Sequence, residues 1–309
     1  MKNIVVIGGT GSMGRHLIRR LLATTEVMIT VPTRDPNSAH ARELAGTAPD
    51  RVQLVRSDPA IFDALFSNAD GVFANTDFFA IGSAVGEYQQ GLDLLATAAR
   101  AGVQRFIWSS LDSAVTLTGK PVPHFDSKAA VTAHINLMRS EEMLNTTADG
   151  WYTNHVSVLT TAPYFENLRY RLTPQSDDQH GLIFNLPLGT ASYPLVALDD
   201  IAWFAGYMFN NWQSWGARDL AVIGESLTGV ELAATFEQMT GTRTNYVPMP
   251  HAQLAATVPE FAHDYAAMFQ FFADRDVYRL DRDVTLLRHL HPGLMGFAGW
   301  MRHTNWTSV

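Results

Sequence analysis

Short β-branched runs alternate along the first half of the chain with stretches in which apolar residues recur at helical spacing. The runs Asn3 to Ile7, Val27 to Val31, Val52 to Val55, Gly71 to Ala74 and Arg105 to Trp108 predict strands. Between them, Leu17, Leu21 and Leu22, and later Leu92, Leu95 and Ala99, mark the apolar faces of helices. Strands separated by helical patterns make βαβ units, so the expected fold class is α/β with a Rossmann-type doubly wound parallel sheet.

Beyond about residue 150 the alternation weakens. Asn154 to Leu159 reads as a strand and Gly189 as the centre of a hairpin. Pro194 to Ala197 leads into a helix opened by Asp199 and Asp200, where negative charge suits a helix N-terminus. Asp219 to Ile223 reads as a further strand, and Thr228 caps a helix reaching Met239. From His251 onward the pattern is helical and aromatic-rich, with Phe261, Met268, Phe269, Phe271 and Phe272; this suits plain core or a dimer face better than a pocket roof, and leaves a homodimer open. With no repeat and no linker, the expectation is a second, smaller α+β lobe forming a cleft with the first. The boundaries are 1-155 for the first domain, with return segments near 195-225, and 156-309 for the smaller substrate-binding lobe interleaved with it.

The chemistry begins at Ile4-Val5-Val6-Ile7-Gly8-Gly9-Thr10-Gly11-Ser12-Met13-Gly14, a buried-type strand feeding a glycine-rich turn and then a helix. Gly8 permits the tight turn, Gly11 lets backbone approach a pyrophosphate, and Gly14 lets the helix pack closely. The helix start offers free N–H groups and positive dipole to phosphate, with Thr10, Ser12 and Met13 as further contacts of the same turn. At the end of the second strand stands Arg34, where an NAD site usually carries a carboxylate. A guanidinium there suits a 2'-phosphate, so NADP(H) is the expected cofactor, with NADPH preferred over NADH; the adjacent Asp35 keeps NAD open. Asp58, before Pro59, either lies under the adenine or caps a helix. Asn75 and Thr76 follow the fourth strand where a dinucleotide would cross the sheet.

Composition narrows the rest. With 22 Lys+Arg against 30 Asp+Glu and a net charge of -8, the chain lacks the positive surface that direct nucleic-acid binding needs. It has no cysteine, which excludes disulfides, thiolate zinc sites and cysteine nucleophiles. His289 and His291 have no third ligand at suitable spacing, so no metal is expected. No run approaches the roughly 18 apolar residues of a membrane span, and the first residues enter a strand without a signal-peptide pattern, so a cytoplasmic protein without membrane contact is expected. Walker phosphate loops and GxSxG elbows are missing, which sets aside kinases, ATPases and serine hydrolases.

These residues, together with Gly71-Val72-Phe73-Ala74-Asn75-Thr76-Asp77-Phe78-Phe79, Trp108-Ser109-Ser110-Leu111-Asp112, His124-Phe125-Asp126-Ser127-Lys128 and Pro163-Tyr164-Phe165-Glu166-Asn167-Leu168, resemble the NmrA-like family of atypical short-chain dehydrogenases. The resemblance covers about residues 1 to 225. It implies a Rossmann lobe and a smaller lobe meeting over the nicotinamide, with Lys128, Tyr164, Phe165 and Asn167 near the cofactor. The family holds both NADP(H)-dependent reductases and nucleotide-sensing regulators, so fold alone does not choose.

Short-chain dehydrogenases pair a tyrosine proton donor with a lysine four residues later. By resemblance Lys128 is that lysine, and the tyrosine position holds His124. A cation beside an imidazole disfavours its protonated form. Three outcomes stay open: His124 donates a proton, Tyr164 or Ser110 does, or no reduction occurs. Hydride delivery to a conjugated acceptor needs no strong acid, and Lys128 alone then suffices. The expected function is an NADPH-dependent reductase of a small, aromatic or conjugated carbonyl or alkene compound. The alternative is a non-catalytic NADP(H)-sensing regulator acting through a protein partner.

Overall fold

The computed structural model describes residues 1–146, 149–177, 181–250, 253–254 and 261–307. Its chain divides into two compact units: one of Met1–Asp112, His124–Thr160 and Ile201–Leu220, the other of Ser113–Pro123, Thr161–Asp200 and Ala221–Val309.

The first unit is built on a sheet whose strands are β1 (Asn3–Ile7), β2 (Met28–Thr33), β3 (Val52–Arg56), β4 (Gly71–Ala74), β5 (Phe106–Ser110) and β6 (Val156–Thr160). With a short edge strand, Leu220–Ala221, added beside β6, the spatial order is edge-β6-β5-β4-β1-β2-β3, and the six long strands pair in parallel. This is the doubly wound Rossmann arrangement that the alternating pattern predicts. Ile4, Val5 and Val6 of β1, Val72, Phe73 and Ala74 of β4, and Phe106, Ile107 and Trp108 of β5 are all buried. Strands covered on both faces must be apolar at every position, which is why they read as unbroken runs. The order reverses between β1 and β4, so a crevice opens at their carboxyl ends, where ligands of such sheets bind.

The boundaries of β2, β3 and β5 shift by one or two residues from expectation, and two later runs differ more. The run from Asn154 begins as strand only at Val156, because Trp151–His155 form a helical turn. The Glu142 carboxylate accepts from the amides of Tyr152 (2.9 Å) and Thr153 (2.8 Å), a capture that local propensity does not reveal. The run from Asp219 contributes two strand residues only. Asp219 instead takes Arg139 in a two-pronged pair at 2.8 and 3.0 Å and accepts from the Val158 amide at 2.9 Å.

The second unit contains β7 (Gln175–Ser176), β8 (Leu182–Leu186), β9 (Ser192–Leu195), β11 (Glu225–Thr228) and β12 (Thr244–Pro248), the Leu220–Ala221 edge strand being β10. Gly189 does sit in a turn at φ +55°, but the expected hairpin does not form. β8 lies between β7 and β12, while β9 pairs antiparallel with β11. Thr228 caps Gly229–Thr240 in a full capping box with Glu231. The aromatic tail is core: Met268, Phe269, Phe271 and Phe272 are at most 5% exposed, and Tyr193 packs on Phe269 and Phe272. Residues 251–252 and 255–260 of the expected helical tail lie outside the described residues.

Candidate functional site

The glycine turn leaves β1 and enters the helix Ser12–Thr24. Gly8 has φ +74°, a conformation that favours glycine, and a side chain there would strike the Asn75 carbonyl. The Gly11 amide donates to the Gly8 carbonyl at 3.0 Å, closing the turn. A Cβ on Gly14 would collide with the Gly8 carbonyl and stand 2.5 Å from Gly9 Cα, so helix and turn touch through bare backbone. Gly11 caps this helix without any side-chain hydrogen bond, and Gly11 and Ser12 are exposed. The first-turn N–H groups therefore have no side-chain acceptor from the cap, which is what an anion-binding helix start requires. Met13 turns inward, 3% exposed, and its sulfur accepts from Ser109 Oγ at 3.4 Å; only its backbone can serve a phosphate. Thr10 is half-buried in the turn.

Arg34 follows β2 and is exposed, its guanidinium 3.9 Å from the Asp77 carboxylate. Both partners are solvated, so the pair contributes at most about 1 kcal/mol and leaves Arg34 available to a stronger anion. Asp58 takes the capping alternative: its carboxylate accepts from the Ala60 amide at 2.9 Å. Asn75, just past β4, is held through its amide to Ile7 and lies against Gly8.

The next residue, Thr76, enters a buried polar network. Lys128, on the helix Pro123–Leu144, donates to the Thr76 carbonyl (2.8 Å), to Thr76 Oγ1 (2.9 Å) and to Glu87 Oε1 (2.8 Å). Its Nζ lies 5.7 Å from the Trp108 ring centroid, within cation–π range. Burial pulls the proton affinity of this lysine below the ordinary value, and the Glu87 carboxylate opposes that fall by charge and by hydrogen bond. Glu87 itself is fully buried and was not among the residues singled out from sequence. A signal for it exists: Glu87, Gly91, Leu94, Leu95 and Ala98 share the buried face of the helix Ala84–Ala101, so an acid occupies an apolar stripe.

The proposed proton donors have other occupations. His124 is buried one turn before Lys128, with its ring among Phe78, Phe79 and Phe125 at centroid separations of 6.0, 5.3 and 4.7 Å. The Ser110 hydroxyl is 1% exposed and engaged with Thr132 Oγ1 at 2.8 Å and the Leu111 carbonyl at 3.2 Å. It links β5 to the Pro123–Leu144 helix. In the second unit, Tyr164 precedes the helix Phe165–Tyr170 and bridges to Val196. Burial, and then the Glu166 carboxylate, push its phenol well above the ordinary range, making it a weaker acid. Phe165 is fully buried and stacked on Phe297 (5.8 Å) and Trp300 (5.7 Å). Asn167 is half-buried, and its carbonyl closes the end of that helix.

The NmrA-like family model matches residues 1–301. The NmrA-like family domain-containing oxidoreductase hkm9 of Aspergillus hancockii is 26% identical over 278 residues, covering 86% of this chain and 81% of its own. Among solved structures, NmrA, a negative transcriptional regulator, in complex with NADP has a TM-score of 0.75 at 20% identity over 97% of this chain and 94% of its own. The NADPH-dependent quinone oxidoreductase QOR2 of Escherichia coli, complexed with NADPH, has a TM-score of 0.70 at 20% identity, covering 98% of this chain and 99% of its own. The two structures establish likeness of fold, and the family match spans nearly every residue from the glycine turn to the last helix; the chain belongs to the NmrA-like family.

Proposed function

We propose that this protein is an NADPH-dependent reductase of a small, flat, conjugated or aromatic compound such as a quinone or enone. The observation that carries this reading is the pairing of a bare glycine turn with a buried, hydrogen-bonded ammonium on the β4–β5 side of the same sheet. The turn suits a pyrophosphate, because side chains at Gly8 or Gly14 would strike the backbone of Asn75, Gly8 and Gly9 and so prevent the tight turn that aims the helix N–H groups. Gly8, Gly11 and Gly14, with Thr10, Ser12 and the Met13 backbone, would hold the phosphates. Arg34 would take the 2'-phosphate, Lys128 and Thr76 would face the nicotinamide ribose, and Asn75 would line the crossing. Tyr164 and Asn167, which the resemblance places near the cofactor, belong to the second unit. When bound, the dinucleotide supplies a hydride.

What the chain adds is mainly electrostatic. Lys128 places a positive charge in a site of low dielectric, where it favours negative charge developing on a substrate. The donor candidates favour acceptors that spread this charge: Ser110 is committed, His124 is enclosed by aromatics, and Tyr164 is a weaker acid than an ordinary phenol. The balancing proton then comes from water. The same scarcity of acidic protons favours a second reading, a sensor of the bound redox form that performs no reduction. NmrA, similar in fold, has been solved with NAD as well as with NADP.

One experiment separates the two. The protein is titrated with NADPH and NADH, then challenged with quinones, enones and aromatic ketones while cofactor oxidation is followed. Turnover of a conjugated acceptor, lost in Lys128→Ala, supports the reductase. Tight cofactor binding with no turnover across the panel supports the sensor. For cofactor choice, Arg34→Ala is expected to weaken NADPH by about 10–100-fold and NADH little, through loss of one charge-assisted contact. Folding stability should hardly change, since Arg34 is exposed and its ion pair with Asp77 is solvated. Equal losses for both cofactors would mean that Arg34 does not read the phosphate.

A further inference from the structure

Glu87 is a fully buried carboxylate that accepts three hydrogen bonds. Thr76 Oγ1 donates to Oε1 at 2.7 Å, Lys128 Nζ to Oε1 at 2.8 Å and Ser127 Oγ to Oε2 at 2.5 Å. Every proton of the cluster has an acceptor. The three N–H groups of Lys128 go to the Thr76 carbonyl, Thr76 Oγ1 and Glu87, and the Thr76 and Ser127 hydroxyl protons both go to Glu87. Such a closed set has one arrangement, because rotating any member orphans another in a buried environment.

The cluster sits where it can act on a ligand. Thr76 is the second residue after β4, and its neighbour Asn75 presses its carbonyl against Gly8. β4 and β5 lie across the switch point from β2, whose end carries Arg34. The Arg34 side of the sheet belongs to the adenine half of a dinucleotide, and the β4–β5 side to the other half. We propose that Glu87 is a positioning residue of the dinucleotide site, which acts through Lys128 and Thr76 on the nicotinamide-ribose half of the cofactor and leaves the adenine half unaffected. The proposal rests on the dinucleotide-binding reading given under Proposed function.

Glu87 also sets the charge of Lys128. The charged groups facing that ammonium are Glu87, from the Ala84–Ala101 helix, and Asp77, from the segment after β4; the Trp108 ring of β5 contributes no charge, and His124 lies one turn earlier on the same helix. Burial favours loss of the Lys128 proton, Glu87 resists it most, and Asp77 adds a smaller pull in the same direction as Glu87. Without the Glu87 charge, Lys128 becomes neutral at a lower pH.

The test measures binding of NADPH and of adenosine 2',5'-bisphosphate, a fragment lacking the nicotinamide half, by calorimetry from pH 6 to 9, alongside thermal unfolding. In Glu87→Gln, NADPH should bind at least ~10-fold more weakly at pH 8 while the fragment binds within about twofold of wild type. The pH at which NADPH binding declines should fall, and Glu87→Asp, which keeps the charge, should restore the wild-type pH profile. Should Glu87→Gln not fold, the double variant Glu87→Leu/Lys128→Met is compared with Lys128→Met: a residue acting through Lys128 adds no further loss of NADPH affinity, whereas an added loss overturns the proposal. Equal losses for NADPH and fragment, in step with lost thermal stability, would make Glu87 merely structural and overturn the proposal. An unchanged pH profile with unchanged NADPH affinity overturns it too, while the dinucleotide reading survives. Wild-type protein that binds the fragment but not NADPH, or neither, removes that reading and this proposal together.

Discussion

Lys128→Met is expected to lower folding stability by about 3–5 kcal/mol, because it strands the Glu87 carboxylate in a buried site without its counter-charge. The intact pair need not be strongly stabilising. Its mutual attraction roughly offsets the desolvation of both charges, so Glu87→Leu/Lys128→Met should recover most of the loss and could equal wild type. Denaturant unfolding of wild type, the single variant and the double variant at pH 7 measures this directly. A Lys128→Met protein as stable as wild type would mean that water reaches Glu87 and that the network is not buried in solution. The pH dependence has a definite sign. Lys128 binds its proton less tightly folded than unfolded, so the unfolded state carries more protons between the two pKa values. Its contribution therefore costs stability below the folded pKa and is relieved as pH rises towards the ordinary lysine range. The wild-type curve minus the double-variant curve should rise on the alkaline side.

The second large effect concerns the glycine turn. Gly14→Ala forces a methyl group onto the Gly8 carbonyl and to 2.5 Å from Gly9 Cα, both backbone atoms that cannot swing aside. Relief requires the Ser12–Thr24 helix to back away from β1, at a cost of about 1–3 kcal/mol of overpacking strain. The helix start would then aim its N–H groups elsewhere, and dinucleotide affinity should fall by roughly 10–100-fold, the equivalent of one charge-assisted hydrogen bond. Gly46→Ala is the contrasting control. Gly46 lies in the helix Ala39–Thr47 with nothing within 4 Å of its would-be Cβ, so alanine there should stabilise by about 0.5–1 kcal/mol and leave binding alone. Thermal unfolding and calorimetric NADPH titration read both variants. Normal NADPH affinity in a folded Gly14→Ala protein would remove the turn from the binding site.

What could be read from the sequence was whatever is local in its cause. β1 and β4 were legible to the residue, because strands buried on both faces must be apolar throughout. The glycine turn was legible because close backbone approach admits no other residue type. The Thr228 cap was legible because capping is settled within four residues. Arg34, Asn75, Thr76 and Lys128 could be named from their places at strand ends or within motifs, though not their partners.

Tertiary structure alone decided the rest. β8 follows β12 and not its sequence neighbour β9, since pairing depends on which edges meet in space. Trp151–His155 coil because Glu142, about three helical turns upstream on another helix, captures the amides of Tyr152 and Thr153. Phe165 and Ser110 carry residue types suited to a site, yet one is stacked in an aromatic core and the other is committed to Thr132. Glu87 is the strongest case: the sequence shows only an acid on an apolar helix face, and the charge of Lys128, forty-one residues away, becomes its partner through packing. Chain composition settles which groups are available and which helical or strand faces they occupy. The pairing of buried charges depends on long-range approach, and a low dielectric makes that pairing decisive for both stability and protonation.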